Sequence, residues 1–511
     1  MPEPKAERDK PIVEPWDEHN RELVSHVHPH DWVNPEPAER YHLVVIGAGT
    51  AGLISAIIAN GAGGKVALVE RHLMGGDCLN VGCVPSKGVI AAARAWRVAK
   101  GGGTAFGAPR AEGEGDFGAA MERMRRIRAG ISPIDGAARY RDQGIDVFLG
   151  EARFIAADAI EVGGARLHFR RAVVATGGRA AAPPIPGLDE VDYLTNETIF
   201  SLTEKPERLG VIGGGPIGCE LSQSFARLGS RVTLFDRNEH VLGREDPDAA
   251  AVVQEAMAKD GVELCLGVGI QKIEKKGEAE VVVFERGGKA ERIEVDRLLV
   301  AAGRRPNVEG LGLEAAGVKY GKRGVEVDDR LQTTNSKIYA CGDVAAKYQF
   351  THLAEAQAKI VVQNALFFRR LKASDLVVPW CTYTSPEIAH VGLYEKDAKE
   401  RGHEVETLTI PLEDNDRARL EGETEGFLRV HLKKGSDKIL GATLVAAHAG
   451  DLLSPMYLAV THGIGLEKFA STIFPYPTQG EIYKAAASAY QKKKLTPTVQ
   501  KILDFWMRVF K

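Results

Sequence analysis

Cys78 and Cys83 stand five positions apart in the run Gly75-Gly76-Asp77-Cys78-Leu79-Asn80-Val81-Gly82-Cys83-Val84-Pro85-Ser86-Lys87, with two glycines before the first and a lysine just beyond the second. The residues from Gly88 to Trp96 are alanine-rich and free of further breakers, so the pair is expected at or near a helix N-terminus. Unpaired N–H groups and the helix dipole favour a thiolate there. Two thiols so placed can close a readily reduced disulfide and reopen it as a reactive dithiol. Taken alone, two cysteines are as well read as small buried hydrophobes. Their surroundings decide.

The elements that would position them come as two glycine-rich turns. Residues 41–46, YHLVVI, read as a buried strand running into Gly47-Ala48-Gly49-Thr50-Ala51-Gly52, then an apolar helix to about Asn60 and a strand ending at Glu70. Gly47 permits the tight turn, Gly49 lets backbone approach a pyrophosphate, and Gly52 lets helix pack on strand. Glu70 is placed to accept from a ribose hydroxyl. A second unit repeats the pattern: an apolar run into Gly213-Gly214-Gly215-Pro216-Ile217-Gly218, a helix to about Leu228, and a strand ending at Asp236. Two complete fingerprints imply two dinucleotides.

Bulk properties agree with a large soluble enzyme. The 511 residues exceed one core and suggest about three domains, and 44% hydrophobic with 26% charged residues is ordinary for a globular chain. A net charge of −3 gives no electrostatic reason to expect nucleic acid. Six cysteines are too few for a secreted disulfide scaffold, and no apolar run reaches membrane-span length. With no signal-peptide pattern at the N-terminus, the expected location is cytoplasmic.

The cysteine run resembles the redox-active segment of the flavoprotein disulfide reductases, the group containing dihydrolipoamide dehydrogenase, glutathione reductase and mercuric reductase. The resemblance covers residues 41 to about 490. It implies an α/β fold with two Rossmann-like dinucleotide-binding domains, for FAD and NAD(P), plus a C-terminal α+β dimerisation domain. FAD falls to the first fingerprint and nicotinamide to the second. There Asp236 sits where a carboxylate selects the free 2′-hydroxyl of NAD, whereas Arg237 is the residue type that meets the 2′-phosphate of NADP. The pair leans toward NADH. Ala175-Thr176-Gly177 resembles the exit from the flavin domain, Gly303-Arg304-Arg305-Pro306-Asn307 the return crossing, and Cys341-Gly342-Asp343 the second flavin signature, with Asp343 on the ribitol. Glu220 matches the glutamate that pairs with the lysine of the cysteine helix, here Lys87; a cation beside the flavin stabilises its reduced anionic form. By family roles Cys83 lies nearer the flavin and Cys78 meets the acceptor.

The resemblance divides the chain into an arm at 1–40, an FAD-binding domain in two segments at 41–188 and 311–376, an NAD(P)-binding domain between them at 189–310, a dimerisation domain at 377–490 and a helical tail at 491–511. A homodimer follows, since in this family the partner's C-terminal segment finishes each active site. Cys219, Cys265, Cys341 and Cys381 read as packed small side chains, and Arg123, Arg125, Arg126 and Arg128 as a solvated helix face. The arm carries alternating His26, His28 and His30; an ordered arm lying on another domain is preferred over a metal site. For the tail, docking on the dimer body is preferred over a membrane surface.

Departures from the family pattern bear on the acceptor. Tyr476 stands where reductases of organic disulfides carry their histidine, while Glu481 keeps the glutamate position. A tyrosine is roughly a thousandfold too protonated at neutral pH to serve as a ready base. The Phe474-Pro475-Tyr476 sequence instead resembles mercuric reductase, whose soft Hg(II) substrate, held here by Cys78 and Cys83, needs electrons and little proton transfer. Against that, the last cysteine is Cys381, so no vicinal cysteine pair lies at the C-terminus, and there is no N-terminal Cys-x-x-Cys module. Asp77 replaces a threonine and Pro216 a tyrosine. The expected activity is a mercuric-reductase-like NAD(P)H oxidoreductase with no structural metal. The alternatives are a reductase of another small disulfide or quinone, and a redox-sensing or membrane-docked interaction partner.

Overall fold

The computed structural model describes residues 13–510, so residues 1–12 of the arm and Lys511 of the tail lie outside it. Two compact units emerge: the described residues of Met1–Arg237 with Glu263–Leu376, and Asn238–Val262 with the described residues of Val377–Lys511.

In the first unit the arm contributes α1 (Glu18–Val27), started by Asp17, whose carboxylate accepts from Asn20 N at 2.8 Å. Leu23, Val24 and Val27 of α1 are buried in the main core. The flavin-type sheet follows. Its strands β1 (Tyr41–Ile46), β2 (Val66–Glu70), β3 (Asp146–Leu149) and β4 (Ala165–Val174) pair in parallel in the order β3-β2-β1-β4. β1 is buried at five of its six positions, as a strand covered on both faces requires. Between these strands lie α2 (Thr50–Gly61), α3 (Gly76–Asn80), α4 (Cys83–Arg97) and α5 (Phe117–Ile131).

A second parallel group, β5 (Arg208–Ile212), β6 (Arg231–Phe235) and β7 (Arg297–Val300), pairs in the order β6-β5-β7, with α6 (Pro216–Arg227) leaving the β5 turn. The chain then returns to the first sheet, where β8 (Ile338–Ala340) adds in parallel to β4 and is followed by α7 (Thr351–Leu366). Two Rossmann-like layers are thus built from one repeated strand–turn–helix plan.

The second unit holds an antiparallel sheet of β9 (Trp380–Thr382), β10 (Glu387–Gly392), β11 (Val405–Pro411), β12 (Phe427–Lys433) and β13 (Ile439–Ala446), ordered β9-β10-β13-β12-β11. The central strand β13 is buried throughout, and α8 (Glu481–Lys493) packs Ile482, Tyr483, Ala486 and Ala487 into the same core. Asn238–Val262 belongs to this unit through polar ties: Glu245 accepts from Trp380 Nε1 at 2.8 Å and from the Tyr394 hydroxyl, and Arg429 bridges Asp246 and Asp248. The chain ends in α9 (Pro497–Val509), none of whose residues is buried. Among the described residues no helix is long and apolar enough to cross a membrane.

Candidate active site

Gly75 and Gly76 turn the chain with φ of 86° and 56°, and a Cβ on Gly76 would lie 2.8 Å from Gly49 Cα. The glycines ahead of Cys78 therefore let the cysteine loop abut the first dinucleotide turn. Cys78 sits half-buried in α3, and Cys83 is the exposed first residue of α4, beside that helix's unpaired N–H groups. Both are free thiols. Thr351, the first residue of α7, places its Oγ1 3.4 Å from Cys83 Sγ.

One helical turn on from Cys83, Lys87 Nζ meets Glu220 Oε2 at 2.9 Å, with Glu220 buried on α6. The hydrogen bond from the Cys78 thiol draws the Cys83 pKa down to about 6; the Thr351 hydroxyl and the Lys87 cation add to this against the opposing pull of burial. The Cys78 thiol is pushed up by that same bond and by burial. The pair thus favours the thiolate on Cys83 and the proton on Cys78. That is the division of labour a dithiol needs to transfer two electrons in steps.

The two nucleotide turns have matching geometry. Gly47 and Gly213 have φ of 99° and 112°, and a Cβ on Gly52 or Gly218 would lie 1.8 Å from the carbonyl oxygen of Gly47 or Gly213. Only glycine fits. A Cβ on Gly215 would meet nothing within 4 Å, so the loop backbone faces open space, as a diphosphate requires. Ala48 N donates to Glu70 Oε2 at 2.7 Å and Gly214 N to Asp236 Oδ2 at 2.5 Å, so each strand-end carboxylate is held at its turn. Burial raises the Glu70 pKa against the N–H donors of Ala48 and His72. Asp236 is half-buried and Arg237 exposed. This donor set fits two dinucleotides.

Thr176 Oγ1 donates to Asn307 O at 2.7 Å and Asn307 N to Gly177 O at 3.0 Å, so the Ala-Thr-Gly turn is stitched to the return crossing that begins at Gly303. Within that crossing the sequence gives Arg304 no role, and the structure does. Its half-buried guanidinium donates to Gly178 O at 3.0 Å, lies 3.4 Å from Asp343 and pairs with Asp77. The aspartate that replaces a threonine thus has a cation of its own. Asp343 is raised by burial while Arg304 restrains the rise.

The arginine face of α5 requires a correction. Arg123 and Arg126 are exposed, but Arg125 is only 6% exposed and Arg128 2%. Arg128 donates to Asn80 O at 2.5 Å and to Asn20 Oδ1 at 2.6 Å, while Arg125 donates to Asp17 at 2.5 Å. Asn80 in turn holds Met74 O and Gly76 O through its amide at 3.0 and 2.9 Å. The arm therefore reaches the redox loop through one arginine. Its histidines serve packing: His26 bonds Ser132, His28 bonds His72 O, and His30 stacks on Trp16. Cys219, Cys265 and Cys341 are buried and Cys381 half-buried.

In the second unit, Tyr476 is 72% exposed and donates to Asp416 Oδ2 at 3.2 Å. It borders a cavity of about 290 Å³ with Asp414, Glu481 and Lys484. The Asp416 carboxylate holds the tyrosine pKa above its ordinary value.

Comparison with known proteins bears on the same residues. The pyridine nucleotide-disulphide oxidoreductase family matches residues 41–358, and its dimerisation domain matches 378–487, which supports a homodimer. Mercuric reductase of Staphylococcus aureus is 39% identical over 453 residues, covering 88% of this chain and 83% of that protein. Dihydrolipoyl dehydrogenase of Thermus scotoductus is 36% identical over 463 residues, 89% and 98% of the two chains. Among solved structures, the Cu(II) complex of the HOCl-induced flavoprotein disulfide reductase RclA from Escherichia coli superposes with a TM-score of 0.78 at 28% identity, over 88% of this chain and all of that one. With its cysteine pair, its two nucleotide turns and these matches along most of its length, the chain belongs to the class I pyridine nucleotide-disulphide oxidoreductases, FAD- and NAD(P)H-dependent enzymes.

Proposed function

We propose that this enzyme passes electrons from NAD(P)H to a thiol-binding acceptor at Cys78 and Cys83, with Hg(II) the first candidate. When bound, FAD supplies the two-electron relay between the nicotinamide and the sulfur pair. Gly47, Gly49, Gly52, Glu70, Thr176, Gly177, Gly303 and Asp343 would hold it, and Gly213, Gly215, Gly218, Asp236 and Arg237 would hold the nicotinamide dinucleotide. Cys83 keeps the thiolate facing the relay, Cys78 meets the acceptor, and Lys87, braced by Glu220, supplies a fixed positive charge beside them.

The observation that carries the reading is a free Cys78–Cys83 pair at a helix start, with Thr351 on Cys83 and the Lys87–Glu220 pair one turn on, in a chain whose Tyr476 donates to Asp416 and is a poor base. A soft ion bound by two sulfurs needs no proton from Tyr476. Each NAD(P)H reduces one Hg(II) to Hg(0) and releases one proton. Tyr476 and Glu481 would finish the site across the homodimer.

Steady-state NAD(P)H oxidation tests this with excess thiol and, in turn, Hg(II), oxidised lipoamide and a quinone. Stimulation by Hg(II) alone supports the proposal; stimulation by an organic disulfide or quinone alone moves the enzyme to the second reading. Cu(II) belongs in the same panel, because the RclA relative was solved as a Cu(II) complex.

A further inference from the structure

The helix α9 lies beyond the segment matched by the family's dimerisation domain. Its start is written into the sequence: Thr496 caps it, accepting from Val499 N at 3.4 Å, and Pro497 occupies the first turn. At 100° per residue its apolar side chains, among them Ile502, Leu503, Phe505, Trp506, Met507 and Phe510, sweep an arc of about 200°. Gln500, Lys501, Asp504 and Arg508 share the remainder. The preceding helix α8 buries five residues; α9 buries none, with Trp506 52% and Phe510 78% exposed.

Three features select the occupant of this face. A helix seated on a protein partner buries a stripe of roughly 100°, so an arc twice as wide suits a medium that closes around it. The polar side is cationic: Lys501 and Arg508 stand against Asp504, and Lys492 precedes the helix, while the neighbouring Lys493 and Lys494 pair with Glu406 and Glu467. An anionic surface complements that charge. Indole and phenyl rings on the apolar side suit the headgroup boundary, where one end of a ring is wet. Thirteen residues make a helix of about 20 Å, too short to cross a bilayer and long enough to lie in its surface.

We propose that α9 is an in-plane anchor that docks the enzyme on an anionic membrane surface. Two copies in a homodimer act together, so weak single-helix binding becomes firm attachment. The anchor takes no share in the redox chemistry and stands independently of the acceptor.

The test is co-sedimentation of the FAD-loaded full chain with vesicles of phosphatidylglycerol and phosphatidylcholine, and with phosphatidylcholine alone. Binding is expected to the anionic vesicles, at least tenfold weaker to the neutral ones, and reduced by salt. Truncation after Lys494, and separately the double substitution Trp506→Ser with Phe510→Ser, should remove binding while leaving NAD(P)H oxidation in solution unchanged. Lys501→Glu with Arg508→Glu should weaken it with the apolar face intact. Failure of the full chain to sediment with anionic vesicles overturns the proposal. So does equal binding by the truncated chain, or loss of an oligomer larger than the dimer on truncation, which would assign the face to another copy.

Discussion

A thiol that loses its proton near pH 6 while its neighbour keeps one should be visible to an alkylating reagent. In the NAD(P)H-reduced enzyme, iodoacetamide should modify the cysteine pair with a rate that rises through a midpoint near pH 6 and levels off by neutrality, since only a thiolate reacts and the two sulfurs share one proton. Replacing Lys87 with methionine removes one of the charges that lower this pKa, so the midpoint should move upward; an unmoved midpoint would show that the lysine does not act on the sulfur. Cys83→Ser should abolish acceptor-dependent turnover and leave yellow, FAD-loaded protein, because no nucleotide turn depends on that sulfur. Colourless protein would count against the placement. These residues are readable from sequence because spacing, flanking glycines and two nucleotide turns agree. The Arg304–Asp77 pair is not: its members lie 227 residues apart, and nothing local to either marks it as the other's counter-ion.

Among the elements, the arm has the least expected role. Its composition reads as polar and aperiodic, yet α1 inserts three apolar residues into the flavin-domain core and offers Asp17 and Asn20 to two arginines. Arg125 and Arg128 are three apart and so share a face of α5. A sequence alone assigns such a face to water, because the groups that cover it come from 108 residues upstream. The strands and nucleotide turns are legible because their patterns are local. Arg128→Met should leave Asn80 O and the Asn20 side chain without their donor, at about 1–3 kcal/mol for each buried group so stranded. Urea melts of the FAD-loaded protein measure that loss. Because Asn80 lies between the two cysteines, the variant should also change the alkylation rate of the reduced pair under native conditions. A melt that shifts with no change in thiol reactivity would confine the arm to structural support.

On the scale of the whole molecule, the proposed acceptor turns on whether the C-terminal unit carries a group able to exchange protons. Tyr476 hydrogen-bonds Asp416, which raises its pKa further from neutrality, and Glu481 lies in the same cavity. An organic disulfide must gain protons as it is cleaved, and a tyrosine so placed exchanges them poorly; a metal ion has no such need. Tyr476→His would introduce a group that titrates near pH 6.5, close to two carboxylates that favour its protonated form. General acid–base catalysis contributes typically 10²–10⁴-fold, so turnover of oxidised lipoamide should rise by about 10² or more. That gain should bring a new pH limb near or above 6.5, while Hg(II)-dependent oxidation stays within about twofold. Equal FAD content in variant and parent, read from the flavin absorbance, separates this result from a folding defect. If lipoamide turnover stays flat in a fully loaded variant, proton exchange is not what excludes organic disulfides.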